Sequence, residues 1–255
     1  MPTKQMRPLR AIVPAAGKGN RLKAVSGDLP KAMVQVDGQP MIDIVLRNID
    51  FIAPADITVV VGYGKDLVMD HLGNAYAYVE QKEQLGTGHA VMVCADQFRD
   101  FDGDVLVTFG DMPLFHRDEM LDMCRRHALK GMDCTMMTAE NPELKMWARV
   151  TRDEKGVFQA IVEGKDCTPE QAQIKELFSG VMVFKSRTLF EMLPLVGQNN
   201  VQHEYYLTEV PELMVRHGMK VDTYPIKDGN DLRGVNSPED MDICARILRQ
   251  REKTL

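Results

Sequence analysis

The apolar residues of this chain fall into two rhythms. Short unbroken apolar runs alternate with stretches in which apolar positions recur at helical spacing. "RAIVPAA" (10–16), "DITVVVGY" (56–63) and "DVLVTFGD" (104–111) are of the first kind, and each predicts a buried strand. "PMIDIVLRNIDFI" (40–52) is of the second kind, with Ile42, Val45, Leu46, Ile49 and Ile52 on one helical face. "HAVMVCADQF" (89–98) reads as a helix. "DEMLDMCRRHAL" (118–129) is another, with acids in its first turn and bases in its last, as the macrodipole favours. "CTMMTAE" (134–140) is strand-like. This β-α-β-α order predicts an α/β fold: a Rossmann-like, mostly parallel, doubly wound central sheet with flanking helices.

After about residue 145 the rhythm changes. "ARVTRD" and "GVFQAIVEG" predict a hairpin around the Asp153–Gly156 turn, and "FSGVMVFKS" and "KVDTYPI" predict further strands. A last helix begins at Ser237-Pro238-Glu239-Asp240, where Ser can cap and Pro suits the first helical position. We read residues 1–255 as one domain. It comprises a first half over about 8–145, a smaller lobe over about 146–230, and a closing loop and helix over 231–255.

Composition narrows the function. The chain has 255 residues, 44% hydrophobic and 27% charged, enough for a sizeable core. Its net charge of −6 argues against nucleic acid or an anionic membrane as partner, because surfaces that bind those are usually basic. The five cysteines are odd in number and lack C-x-x-C spacing, which favours reduced thiols and a cytoplasmic location. The histidines form no zinc-like cluster. The polar, basic start lacks the apolar core of a leader peptide, and no apolar run reaches membrane-spanning length.

Against that acidic background one loop stands out. "AAGKGNRLKAVSGDLPK" (15–31) follows the first strand with three glycines and a set of cations. Glycines let backbone N–H groups approach an anion, and Lys or Arg adds charge, so the loop suits a phosphate. It is not a Walker loop. It also fails the G-x-G-x-x-G pattern, because Leu22 stands where the third glycine belongs. A basic surface loop with no ligand is the plainer alternative. Asp111, at the end of an apolar run, lies where ligands bind in open parallel sheets, and its oxygens suit Mg²⁺ shared with substrate phosphates. A capping role is the rival reading. Asp102 and Asp104 precede the strand and read as a turn.

The loop resembles the A-A-G-x-G-T-R…P-K signature of the sugar nucleotidyltransferases, the nucleoside-diphosphate-sugar pyrophosphorylases, through Ala15, Ala16, Gly17, Gly19, Arg21, Pro30 and Lys31. Asn20 stands where Thr is usual. "EQKEQLGTGHA" (80–90) is similar to the base-recognition loop of the uridylyltransferases of N-acetylglucosamine 1-phosphate. The resemblance implies that Gln81 bonds the uracil edge and that Gly86 and Thr87 line the nucleotide. A Thr87 helix cap is the plainer reading. "VEGKDCT" (162–168) resembles V-E-x-K-D, making Glu163 a partner of sugar hydroxyls. "NNVQHEYYLTE" (199–209) resembles N-N-x-Q-x-E-Y-Y-L-T-D, which brings Glu204 and Tyr206 to the sugar pocket. "RGVNSPED" (233–240) resembles the G-V-N segment, making Asn236 the second metal ligand beside Asp111.

The resemblance covers about residues 10–250 and implies a GT-A-like nucleotidyltransferase fold. Its first half would bind nucleotide, its lobe would bind sugar, and its closing loop would bind metal. The implied reaction is Mg²⁺-dependent transfer from a nucleoside triphosphate, UTP favoured, to a sugar 1-phosphate. Gly17 and Gly19 would hold the triphosphate, Arg21 the departing pyrophosphate, and Lys31 the two reacting phosphates. Those two substrates are the expected partners, and a homo-oligomer is left open. The chain departs from the relatives where their G-Y-G-R and I-N-T-G segments hold the N-acetyl sugar. Here those read Met146-Trp147-Ala148-Arg149 and Leu177-Phe178-Ser179-Gly180. Ala148 can still offer backbone N–H, but Phe178 replaces a polar handle with bulk. Pro14 and the longer step from Arg21 to Lys31 look more like the glucose and deoxysugar enzymes. The relatives' hexapeptide-repeat acetyltransferase domain is not expected. The alternatives are a cytidylyltransferase for an aminoalcohol phosphate, a GT-A glycosyltransferase, and a non-catalytic nucleotide-binding module.

Overall fold

The structure is a computed structural model that describes residues 7–253. The first six residues, part of the polar start on which the leader expectation rests, lie outside the described residues. In chain order, β1 (Leu9–Pro14) leads through the glycine loop and α1 (Lys23–Ser26) into a small ribbon of β2 (Gln35–Val36) and β3 (Gln39–Pro40). Then come α2 (Met41–Asn48), β4 (Ile57–Val61), α3 (Lys65–Leu72), β5 (Ala77–Glu80), α4 (Thr87–Met92), α5 (Ala95–Phe98), β6 (Asp104–Val107), α6 (Arg117–Lys130) and β7 (Cys134–Glu140). The lobe supplies β8 (Arg149–Arg152), β9 (Phe158–Val162), β10 (Glu176–Lys185), α7 (Ser186–Met192), α8 (Val210–Arg216) and β11 (Val221–Pro225), and α9 (Pro238–Glu252) closes the chain.

The main sheet runs β11-β7-β10-β6-β1-β4-β5, with the β8/β9 hairpin joined to the start of β10. β6, β1, β4 and β5 are parallel, as are β11 and β7. β10 lies antiparallel between β6 and β7 and ties the lobe to the first half. Parallel strands covered on both faces need unbroken apolar sequence, and every residue of β4 and β6 is buried. Alternate side chains feed two cores. Ala11, Val13, Val59, Val61 and Leu106 enter one, while Ile12, Val60, Val105 and Val107 enter the other.

The expected helix over 40–52 ends early, at Asn48. Ile49 and Ile52 stay buried, but in tight turns, with Ile52 N–H donating to Ile49 O at 2.9 Å. Ile49 already leaves helical geometry, with φ −118° and ψ 23°, and Pro54 holds Ala53 extended further on. The helix expected over 89–98 breaks between α4 and α5. α3 and β5 were not legible, because α3 buries only Val68 and β5 is half-exposed. α9 starts as expected: the Ser237 hydroxyl accepts from Asp240 N–H, and Pro follows it.

Arg251, near the end of α9, donates to Leu114 O and pairs with Asp228 and the fully buried Asp231. It ties the last helix to the loop after β6 and to the loop ahead of Asn236. All five cysteines are unpaired. Among the described residues no helix is long and apolar enough to cross a membrane.

Candidate active site

β1 and β6 run side by side and end together, so the loops that follow them meet at the carboxyl edge of the sheet. The loop after β1 folds back on itself, with Lys31 N–H donating to Gly17 O at 3.1 Å. Gly19 has φ +66°, and a Cβ there would lie 3.1 Å from Lys31 Cβ. Glycine thus serves both a left-handed turn and the close approach of the lysine. Leu22, in the place of a third glycine, is fully buried among Val34, Val36 and Met41. It anchors the loop, whereas a nucleotide-fold glycine would bring a helix against the sheet.

The loop after β6 carries Asp111. It lies beyond the strand, which ends at Val107, and Gly110 N–H still bonds Pro14 O at 3.0 Å. Lys31 Nζ meets the Asp111 carboxylate and donates to Asn236 Oδ1 at 2.8 Å. Arg21 donates to the same Asn236 oxygen at 2.9 Å. Lys31, Asp111, Asn236 and Arg21, far apart in the chain, therefore form one cluster. Asn236 is fixed from behind, its N–H donating to Asp240 Oδ2 at 3.0 Å. Val235 N–H donates to Asp111 O at 2.9 Å, so the two loops hold each other.

A carboxylate and an amide oxygen converging on one cationic nitrogen form a donor set suited to a hard cation. Among the described residues no group of three or more His, Cys, Asp or Glu side chains could hold a metal. The oxygen pair instead fits Mg²⁺, which keeps waters and shares its remaining positions with phosphates.

Beside the cluster opens a cavity of about 250 Å³, lined by Ala15, Ala16, Gly17, Lys31, Gln81 and Glu204 among others. Gln81 is buried, and its amide donates to Gly86 O at 3.2 Å and to His89 Nδ1 at 3.0 Å. With both N–H groups engaged, its carbonyl oxygen is left as an acceptor. Gly86 has φ +112°, and a Cβ there would lie 2.6 Å from Tyr205 O. The segments are zipped together: Gly88 N–H donates to Tyr205 O at 2.7 Å, Tyr205 N–H to Leu85 O at 2.8 Å, and Leu207 N–H to Thr87 Oγ1 at 3.0 Å. Thr87 is the first residue of α4, not its cap.

A second cavity, also about 250 Å³, shares Thr87 and Phe109 with the first. Ala148, Glu163 and Phe178 line it, with Trp147, Met112 and Met182 as further walls. Glu163 accepts from Thr208 Oγ1 at 2.9 Å, and burial pushes its carboxyl above the usual carboxylate range. The Ala148 carbonyl accepts from Phe178 N–H at 3.0 Å. Two residues expected at the sugar pocket lie elsewhere. Glu204 lines the first cavity, and Tyr206 lines a third, of about 550 Å³, on the other side of Glu163. Arg21 is exposed and, among the described residues, joins the cluster through its hydrogen bond to Asn236. The supports His89 and Thr208 lie inside motif segments but were missed. Their types suggest no chemistry until their partners are seen.

Known proteins bear on this geometry. A family model described as nucleotidyl transferase matches residues 10–232. The bifunctional protein GlmU of Latilactobacillus sakei is 37% identical over 244 residues, covering 96% of this chain and 52% of that protein. The proteins of the same name from Enterococcus faecalis and Staphylococcus carnosus are 35% and 37% identical over 241 residues, covering 94% of this chain and 52% of each. The chain therefore spans about half the length of the curated relatives it matches. The glycine loop, the Lys31 cluster and a match over most of its length agree, and the chain belongs to the nucleotidyl transferase family.

Proposed function

We propose that this protein transfers a uridylyl group from UTP to a sugar 1-phosphate, releasing pyrophosphate. The observation that supports it best is the cluster of Lys31, Asp111, Asn236 and Arg21, of which Lys31 and Asp111 line the cavity beside the glycine loop, next to a second cavity in the lobe. A phosphate oxygen of the acceptor attacks the α-phosphorus. The new P–O bond forms as the bond to the bridging oxygen breaks, and pyrophosphate leaves with that electron pair. No general base is needed, because a phosphate monoester has its second pKa near ~6 and is already anionic at pH 7. The obstacle is repulsion between anions, so positioning and charge neutralisation carry the catalysis. The Gly17 and Gly19 backbone holds the triphosphate, Lys31 neutralises the reacting phosphates, and Arg21 the departing pyrophosphate. Asp111 and Asn236 would hold Mg²⁺, which would supply further positive charge against that repulsion.

Uracil is favoured by Gln81. Its free carbonyl oxygen can accept from the ring N3–H of uracil or thymine, and cytosine has no hydrogen there. A second reading has one observation behind it. Trp147 and Glu163 line the same acceptor cavity, and an aromatic face with a carboxylate also suits the cation of an aminoalcohol phosphate. The experiment pairs each nucleoside triphosphate with a panel of hexose 1-phosphates and aminoalcohol phosphates in Mg²⁺ and measures pyrophosphate. Release with UTP and a hexose 1-phosphate is expected. Release only with CTP and an aminoalcohol phosphate would select the second reading. Tight triphosphate binding with no release from any pair would overturn both.

A further inference from the structure

Two arginines of the lobe and its closing loop are almost wholly buried, and they are treated differently. Arg233 pairs with Glu143 and donates to Asn230 Oδ1. Arg149 is 6% exposed and has no carboxylate within reach among the described residues. It donates only to two backbone carbonyls, Leu144 O at 3.4 Å and Lys145 O at 2.7 Å, and its Nε has no partner. A guanidinium cannot shed its proton in a protein, so this charge stays. A buried charge without a counter-charge is strongly unfavourable.

Arg149 also lines a cavity of about 610 Å³, away from Lys31 and Asp111. Lys145 and Lys175 line it too, and both are exposed with no ion-pair partner among the described residues. Glu140 is the acid on its wall. The cavity therefore carries two net positive charges on a protein whose total is −6. The same stretch of chain walls both pockets. Lys145 and Arg149 face this one, while Met146, Trp147 and Ala148 between them line the acceptor cavity.

We propose that the Lys145–Arg149–Lys175 cavity is a binding site for a small phosphate-bearing anion, distinct from the nucleotide cleft. The guanidinium puts a charge that cannot be shed at the cavity wall, and the lysines add charge at the rim. An anion there supplies the counter-charge Arg149 lacks and pins residues 144–149.

The single tryptophan, Trp147, lies between these residues and reports on them. The test titrates inorganic phosphate into the full chain and follows Trp147 fluorescence, with calorimetry in parallel. Phosphate can also enter the nucleotide cleft, so two variants separate the sites. Lys31→Ala removes the cleft's cation and should leave a saturable response. The double variant Lys145→Ala/Lys175→Ala alters exposed side chains only, so it should fold, and should weaken that response at least tenfold. The proposal is overturned by loss of the response in Lys31→Ala with retention in the double variant. It is equally overturned if the unaltered protein shows no saturable binding by either method. Arg149→Gln, checked for folding by its melting curve, should abolish binding if it folds. Binding that persists in it counts against the site.

Discussion

The two cavities that meet at Thr87 and Phe109 are alike in volume and built from different kinds of residue. The nucleotide side is made of bare backbone, amides and a charged cluster, drawn together from far along the chain. The acceptor side has walls of Phe109, Met112, Trp147, Phe178 and Met182 around the carboxylate of Glu163. On the proposed function, phosphate chemistry dictates the first: a polyanion needs N–H groups and cations at fixed places, and an oxygen pair there would suit a metal. The second has to match a shape and a few polar groups, so many residue sets serve and each selects a different acceptor.

The largest effect is therefore expected in the charged cluster. Lys31→Ala and Asp111→Asn should each lower kcat by about 10²–10³-fold, the usual loss for a group that stabilises transition-state charge. The double variant should cost less than the product of the two, because the side chains touch. Steady-state kinetics with two different acceptors checks this. The loss should be the same with both, and a loss that depends on the acceptor would break the division of labour between the cavities.

Phe178→Asn sharpens the other side. Phe178 is 5% exposed and fills the acceptor wall, so replacement by an amide should lower stability. It should also add a polar partner. We expect the ratio of kcat/KM for an N-acetylhexosamine 1-phosphate over the plain hexose 1-phosphate to rise about tenfold, the scale of one ordinary neutral hydrogen bond. A ratio cancels any fraction of unfolded protein. The KM for UTP should not move, and an unchanged ratio would mean that Phe178 does not set the acceptor.

The same contrast explains what could be read from sequence. β1, β4 and β6 announce themselves because buried parallel strands need unbroken apolar runs, and Lys31 and Asp111 because their types beside such strands would suit a phosphate. α3 and β5 do not, since they bury little and carry no clean period. Glu204 and Tyr206 sit two residues apart in one motif yet face different cavities, which only the zipper of Leu85, Thr87 and Gly88 against residues 205–207 decides. Arg149 stands at the end of the segment compared with G-Y-G-R, yet its type there gave no sign of an unpaired charge. Its interest comes from having no counter-charge, and a missing partner is invisible until the neighbours are placed.

The smallest effect concerns Glu163, and it probes whether the acceptor wall is truly apolar. Burial first, then the nearby Asp166 and Glu204 carboxylates, raise its pKa above the ordinary 4.5, against the lowering by Thr208. The folded state thus favours the neutral carboxyl. That contribution to stability is complete below the unfolded value and is lost as pH rises through the folded one. Glu163→Gln keeps the neutral shape at every pH. The two proteins should melt alike near pH 4, and the variant should pull ahead as pH climbs above the ordinary carboxyl range. Melting curves across that window measure the gap. If it stays flat, the Glu163 charge is well compensated in its cavity, and the acceptor side is then closer in kind to the nucleotide side than its apolar walls suggest.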